Sequence, residues 1–133
     1  DTLAANAVHV IADAKPNELI CLSNCKNSTI NFAPHQRLAK LVINECDNCR
    51  IVIPSSVKVI TSILEMARCS GCSILLHGTN IRTIQCDAVK NSTVQLQRGF
   101  IELNDMIMVW TEASENNQVQ VVDAQIKLNG TAL

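Results

Sequence analysis

The sequence predicts an all-β protein, folded as a right-handed parallel β-helix of about five to six short coils. A sequence motif of the form Cys-x-x-Cys/Ser, followed by an alternating apolar run, begins at Cys25, Cys46 and Cys69. A cysteine-free copy of this motif begins at Lys90. These starts are 21, 23 and 21 residues apart. Repeats of this length with strand-like content indicate stacked units, each of which covers the apolar face of its neighbour.

Each repeat contains two short runs rich in β-branched residues, separated by a polar corner. Asn, Asp, Ser, Gly or Pro bounds every run, which is typical of strands that end in tight turns. The predicted strands are 8–13, 18–21, 29–32, 41–43, 50–53, 60–66, 73–76, 81–86, 93–97, 99–103 and 106–110.

A hairpin meander needs tight loops of the Asn-Gly type, and the only such dipeptide is Asn129-Gly130. A parallel coil instead stacks equivalent positions about 4.8 Å apart, so that they form ladders. We therefore favour the parallel coil. The expected ladders are Ile30, Ile51, Ile74 and Val94, then Phe32, Ile53, Leu76 and Leu96, with Cys25, Cys46 and Cys69 stacked at one corner.

The C-terminal part departs from the repeat. Residues 119–122 and 124–128 alternate strictly around Asp123, which predicts a half-buried antiparallel edge. Such an edge could cap the open end of the coil or pair with a second chain. We expect one domain over 1–133, with coils over about 8–110 and a hairpin or dimerisation segment over about 117–133. The expected dimerisation residues are Val119, Val121, Ile126 and Leu128.

Composition excludes several classes of function. The net charge is −1 with the charges scattered, so nothing indicates binding to nucleic acid, and no apolar run is long enough to span a membrane. The start of the chain does not read as a signal peptide. We expect a cytoplasmic protein whose seven cysteines are reduced and act as small core residues. The sequons at Asn27, Asn91 and Asn129 are interpreted as turn chemistry.

Two pairs of cysteines, Cys46 with Cys49 and Cys69 with Cys72, match a structural zinc pattern on paper. Their 23-residue offset is the repeat itself, and stacked coils would place the sulfurs in a row instead of a tetrahedron. We expect no metal and no cofactor. The histidines lie in different repeats, and Glu45, Glu65 and Asp87 occupy different repeat positions, so no catalytic pair is expected and the chain is not predicted to be an enzyme. The three histidines, His9, His35 and His77, are expected at the surface or at corners.

The corner 45–49, followed by Ile-Val-Ile, resembles the domain shared by the cyclase-associated proteins and tubulin-folding cofactor C. The tail resembles the C-terminal domain of the cyclase-associated proteins. Residues 112–119 resemble a Ser-Ser-Glu-Met-Asn-Val segment with one extra residue, and residues 123–133 resemble the ending Pro-Glu-Gln-Phe-Lys-x-x-Trp-Asn-Gly-Lys-x-Leu. Leu128 and Thr131 stand where this ending has tryptophan and lysine.

The resemblance implies binding of monomeric actin in its ADP form, promotion of nucleotide exchange and filament turnover, and homodimerisation by exchange of a C-terminal strand. Carried over by motif, Ser114, Glu115 and Asn117 are expected on the actin-facing sheet surface. Lys127, Asn129 and Gly130 are expected near the exchanged end.

Two alternatives remain open from the sequence. Proteins of the cofactor C type activate a small GTPase with an arginine finger, and Arg82 has the matching spacing to Cys86, although Asn80 stands where glutamine belongs. The other alternative is a non-catalytic β-helix scaffold.

Overall fold

The computed structural model describes residues 5–12, 15, 17–77, 80–97, 107–122, 127–128 and 131–132. All regular structure in these residues is β-structure, and they include no helix long and apolar enough to cross a membrane. The strands are β1 (Val8–Ile11), β2 (Glu18–Ser23), β3 (Thr29–Phe32), β4 (Arg37–Asn44), β5 (Arg50–Ile53), β6 (Lys58–Val59), β7 (Ile63–Ala67), β8 (Ser73–Leu76), β9 (Thr83–Asp87), β10 (Thr93–Gln97), β11 (Ile107–Trp110), β12 (Gln118–Val122), β13 (Lys127–Leu128) and β14 (Thr131–Ala132).

Successive strands alternate between two parallel sheets. Sheet 1 has the order β1-β3-β5-β8-β10-β12, and sheet 2 has the order β11-β9-β7-β4-β2, with the short β6 paired to β4. Neighbouring strands in both sheets run parallel. Each coil therefore adds one strand to each sheet, and the predicted parallel β-helix is confirmed.

The register of sheet 1 confirms the predicted apolar ladders. Ile30 lies opposite Ile51, Ile51 opposite Ile74, and Ile74 opposite Val94. These side chains are buried between the sheets, and so are those of the second predicted ladder. Burial of one such side chain contributes about 1.5–3 kcal/mol, and because each coil repeats it, stability accumulates along the stack. The second ladder is Phe32, Ile53, Leu76 and Leu96.

The corner between the sheets has a fixed backbone pattern that explains the Cys-x-x-Cys spacing. In the first copy, Asn24 and Asn27 adopt left-handed conformations with φ of 56° and 50°. Asparagine tolerates this region better than most residues, and at the position equivalent to Asn27 the third copy has Gly71. Cys25, which lies between these two asparagines, and Ser28, which follows the second one, are both buried in the interior. The two inward positions are three residues apart in the described corners, and in the fourth copy they are Val89 and Ser92. The predicted start of that copy at Lys90 is therefore wrong by one residue, because Lys90 pairs with Ser70 and not with Cys69.

The prediction of an antiparallel edge over 119–128 is wrong for the first of its two strands. β12 is parallel to β10, with Val119 opposite Val94, so it forms a further rung of sheet 1. The coil therefore continues past residue 110, where we expected it to stop. An antiparallel pair does follow, between β13 and β14. Alternation alone could not separate these cases, because an outermost parallel strand is also half exposed.

Candidate functional site

Three of the predicted site residues lie together at the last described corner, which follows β11. The backbone of Glu115 forms a bridge with that of Lys90, so this corner stacks directly on the previous one. Ser114 and Asn117 occupy the two inward positions that Cys25 and Ser28 hold in the first copy. They were expected on a sheet surface, but the structure places them in the corner.

The side chains of Ser114 and Asn117 bond to the preceding coil. Ser114 Oγ accepts a hydrogen bond from the Val89 backbone N–H at 3.0 Å and donates to the Cys86 carbonyl at 3.3 Å. The Asn117 amide accepts from the Ser92 N–H at 2.9 Å and donates to the Val89 carbonyl at 2.8 Å. Both residues therefore hold the last coil onto its neighbour.

Glu115 differs from these two residues because its side chain faces solvent. Its carboxylate lies 3.8 Å from Lys90 Nζ, and 71% of the side chain is exposed. An ion pair this open contributes about 0–1 kcal/mol to stability. Of the three residues, Glu115 is the one that is charged and whose side chain is open to a partner.

The predicted C-terminal residues are described only in part. Lys127 and Leu128 form β13 and pair with β14, while Ile126, Asn129 and Gly130 lie outside the described residues. Val119 is 43% exposed, although its position in the ladder faces inward, because β12 is the last strand of sheet 1. Val121, in the same strand as Val119, lies opposite Leu96 of the neighbouring strand β10.

The outer face of sheet 2 carries a feature that the sequence analysis missed. A depression of about 350 Å³, here called the sheet 2 depression, lies across β4, β7, β9 and β11. Register places Val42, Glu65, Gln85 and Val109 in one outward row, with Ala67 and Asp87 in the next. The lining residues are Val42, Glu65, Met66, Ala67, Gln85, Cys86, Asp87, Val109 and Thr111.

Aligning the outward positions of successive repeats could have found this face. Alignment of the inward positions alone establishes the fold but does not reveal this outer face. Sheet 1 differs from sheet 2 on its outer side. There Val52 and Leu75 point out of the coil but are only 1% and 4% exposed, whereas Val109 on sheet 2 is 45% exposed.

Five of the seven cysteines form two buried files along the corner. Cys25, Cys46 and Cys69 occupy the first inward position of successive coils, and Cys49 and Cys72 occupy the second. Their thiols donate to backbone carbonyls, for example Cys49 to Asp47 at 3.4 Å, as the hydroxyl of Ser28 does to Lys26 at 2.8 Å. Cysteine and serine are therefore exchangeable here. The predicted stack is confirmed, but the sulfurs form two files instead of one row.

Burial favours the protonated form of three thiols, those of Cys46, Cys49 and Cys86. Burial raises the pKa of Cys49, and it raises that of Cys86 to about 12. The hydrogen bond with Cys69, together with burial, raises the pKa of Cys46. Among the described residues, no group of three or more Cys, His, Asp or Glu side chains is arranged to hold a metal ion.

His77 was predicted at the surface or at a corner; it directly follows β8, and it is not at the surface, since it is only 5% exposed. Among the described residues its Nδ1 has no hydrogen-bond partner, and burial lowers the pKa of its imidazole. His35 is exposed and lies in a turn, with φ of 64°, as expected.

In the sequence that resembles an arginine-finger motif, Arg82 is exposed, while the Asn80 amide forms two 2.8 Å hydrogen bonds with the Val59 backbone. Asn80 thus acts as part of the fold.

Comparison with known proteins identifies the family. A family model described as adenylate cyclase associated (CAP) C terminal matches residues 3–127. This range includes every strand from β1 to β12, the last corner and the sheet 2 depression. Among curated proteins, none matches the chain significantly. The chain belongs to the family of adenylate cyclase-associated protein C-terminal domains.

Proposed function

We propose that the chain binds monomeric actin, prefers the ADP form and promotes nucleotide exchange, and that it acts in the cytoplasm without being an enzyme itself. The observation that carries this proposal is the family match over residues 3–127. The tail segment Ser114–Asn117, on which the resemblance depends, lies within that match and is built into an ordered corner.

Binding to labelled actin monomers tests the proposal. We expect saturable binding to Mg-ADP-actin and weaker binding to Mg-ATP-actin. Absence of binding to both forms would leave the chain as a scaffold of the same fold. The last corner can be tested in the same assay, because the Glu115 side chain is mainly exposed and meets the preceding coil through an open ion pair with Lys90.

The variant Glu115→Ala should weaken binding to ADP-actin while leaving the melting temperature unchanged. Glu112→Ala is the matched control, since Glu112 is an exposed carboxylate in the same turn. Equal affinities for both variants would show that the charge of Glu115 has no specific role.

We also propose that the chain forms a homodimer through the end of the coil at β12. This strand is the last one in sheet 1, and an unpaired strand edge can add a strand from another chain. The last coil also exposes apolar side chains, with Trp110 37% and Val119 43% exposed.

Sedimentation equilibrium of the whole chain tests this arrangement. The wild-type chain is expected to be a dimer, and Val119→Lys is expected to shift it toward monomer. Gln120→Lys places the same charge on the outer face of the same strand and should leave the dimer intact. A monomeric wild-type chain would refute the proposed dimer.

A further inference from the structure

We propose that the sheet 2 depression is the surface on which the actin monomer docks, and that it receives an apolar side chain flanked by a lysine or arginine. This inference rests on the proposed function, since it names the contact surface for that partner. It assigns a role to residues that no motif in the sequence singled out.

The shape of the depression follows from side-chain length. Ala67 has the shortest side chain of the lining residues, and it lies between the longer side chains of Asn44 and Asp87 in the same row. Val42 and Val109 contribute apolar walls at either side. A cleft with apolar walls and few polar groups suits an inserted apolar side chain.

The charge of the depression indicates the chemistry of the neighbouring group. Its lining includes the carboxylates of Glu65 and Asp87, and none of the described lining residues is a lysine or arginine. Glu65 is neutralised by Lys40, whose Nζ lies 3.0 Å away, whereas the Asp87 carboxylate accepts a hydrogen bond from Thr111 Oγ1 at 3.0 Å. A cation on the partner would complement the Asp87 carboxylate at the rim.

The opposite face of the coil does not offer an equivalent surface. On sheet 1 the outward Val52 and Leu75 are already covered within the molecule, while on sheet 2 Ile107 and Val109 are 56% and 45% exposed beside the depression. The row that contains Asp87 also leads into the corner that carries Lys90 and Glu115. The depression thus lies at the ends of the strands that lead into the corners.

Two variants with a matched control test the docking surface on the whole chain with Mg-ADP-actin. Ala67→Arg fills the depression and is expected to weaken binding at least about tenfold, a typical loss at the centre of an interface. Thr93→Arg adds the same side chain to the outer face of sheet 1 and is expected to bind as the wild type does. Circular dichroism melting establishes that both variants are folded.

Asp87→Asn keeps the acceptor for Thr111 and removes only the charge, so the result does not depend on whether Ala67→Arg folds. It is expected to weaken binding about threefold and to flatten its dependence on salt. Wild-type affinity in both sheet 2 variants would overturn the docking surface and leave the proposed function standing. Failure of the wild-type chain to bind actin would overturn both.

Discussion

The side chain of Asn117 receives a hydrogen bond from the backbone N–H of Ser92, 2.9 Å away in the preceding coil. Its amide nitrogen donates in turn to the Val89 carbonyl. One coil earlier, Ser92 Oγ performs the same task by accepting from the Cys72 N–H at 3.1 Å. In these two coils the second inward position of the corner therefore joins the coil to the one before it, and Asn117 makes this contact for the last coil.

Removal of the Asn117 side chain should destabilise the fold. Asn117→Ala leaves the Ser92 N–H without its partner, while the Val89 carbonyl loses one hydrogen bond and keeps the one from the Glu115 N–H at 3.1 Å. An unsatisfied group costs about 1–3 kcal/mol when it is sheltered from water. We expect the free energy of unfolding in urea to fall by about 1–3 kcal/mol. Glu115→Ala, in the same corner, should change it by less than about 1 kcal/mol because the Glu115 side chain is mainly solvated. Equal losses in the two variants would contradict the role given to Asn117.

The thiols should differ sharply in reactivity. Cys21 is only partly buried, whereas the other six cysteines are buried. We expect one thiol of the native chain to react rapidly with Ellman's reagent at pH 8, and all seven to react in urea. Cys21→Ser should abolish the rapid phase. Several rapidly reacting thiols in the native wild-type chain would show that the corner opens to solvent.

Alkaline pH should destabilise the protein. Burial raises the pKa of Cys86 to about 12, above the ordinary value of 9.0 that it regains on unfolding. Above pH 9 the unfolded chain releases a proton that the native chain retains, so stability is complete below pH 9 and declines toward pH 12. Urea denaturation between pH 7.5 and pH 10.5 measures this decline. Cys86→Val should reduce its slope by up to about 1.4 kcal/mol per pH unit, and an unchanged slope would exclude Cys86 as a cause.

Mild acid should destabilise the protein through His77. Burial lowers the pKa of His77 below its ordinary value of 6.5, so the unfolded chain takes up a proton before the native chain does. This contribution to stability is present above pH 6.5 and is lost as the pH falls below it. Urea denaturation from pH 7.5 to pH 5 should show the loss, and His77→Gln should flatten it. The same acid slope in His77→Gln would assign the effect to other groups.

The interior of the fold could be predicted from the sequence because it repeats. Ile51 and Ile74 are equivalent in phase and in apolar character, and the structure pairs them directly. The corner was predictable for the same reason, since the spacing of Cys46 and Cys49 reflects two inward positions around a left-handed turn at Asn48. A zinc site with that spacing would require the four sulfurs to meet around one metal ion. Stacking of the coils instead keeps the two inward positions in separate files.

The features that were missed depend on side chains outside the repeat. His77 looked like a corner residue, and its burial reflects packing that its neighbours in sequence do not reveal. The sheet 2 depression arises from one alanine, Ala67, between longer residues of adjacent coils. The parallel pairing of β12 could not be read from alternation, because the edge of a parallel sheet and an antiparallel hairpin expose the same pattern.

The rate of nucleotide release from actin tests the central claim most directly. Monomers loaded with a fluorescent adenine nucleotide are mixed with excess ATP and increasing amounts of the whole chain, and the loss of fluorescence is followed. We expect the release rate to rise with concentration of the chain and then to saturate, with Ala67→Arg far less effective than Thr93→Arg. An unchanged release rate at concentrations that saturate binding would contradict the proposed promotion of exchange.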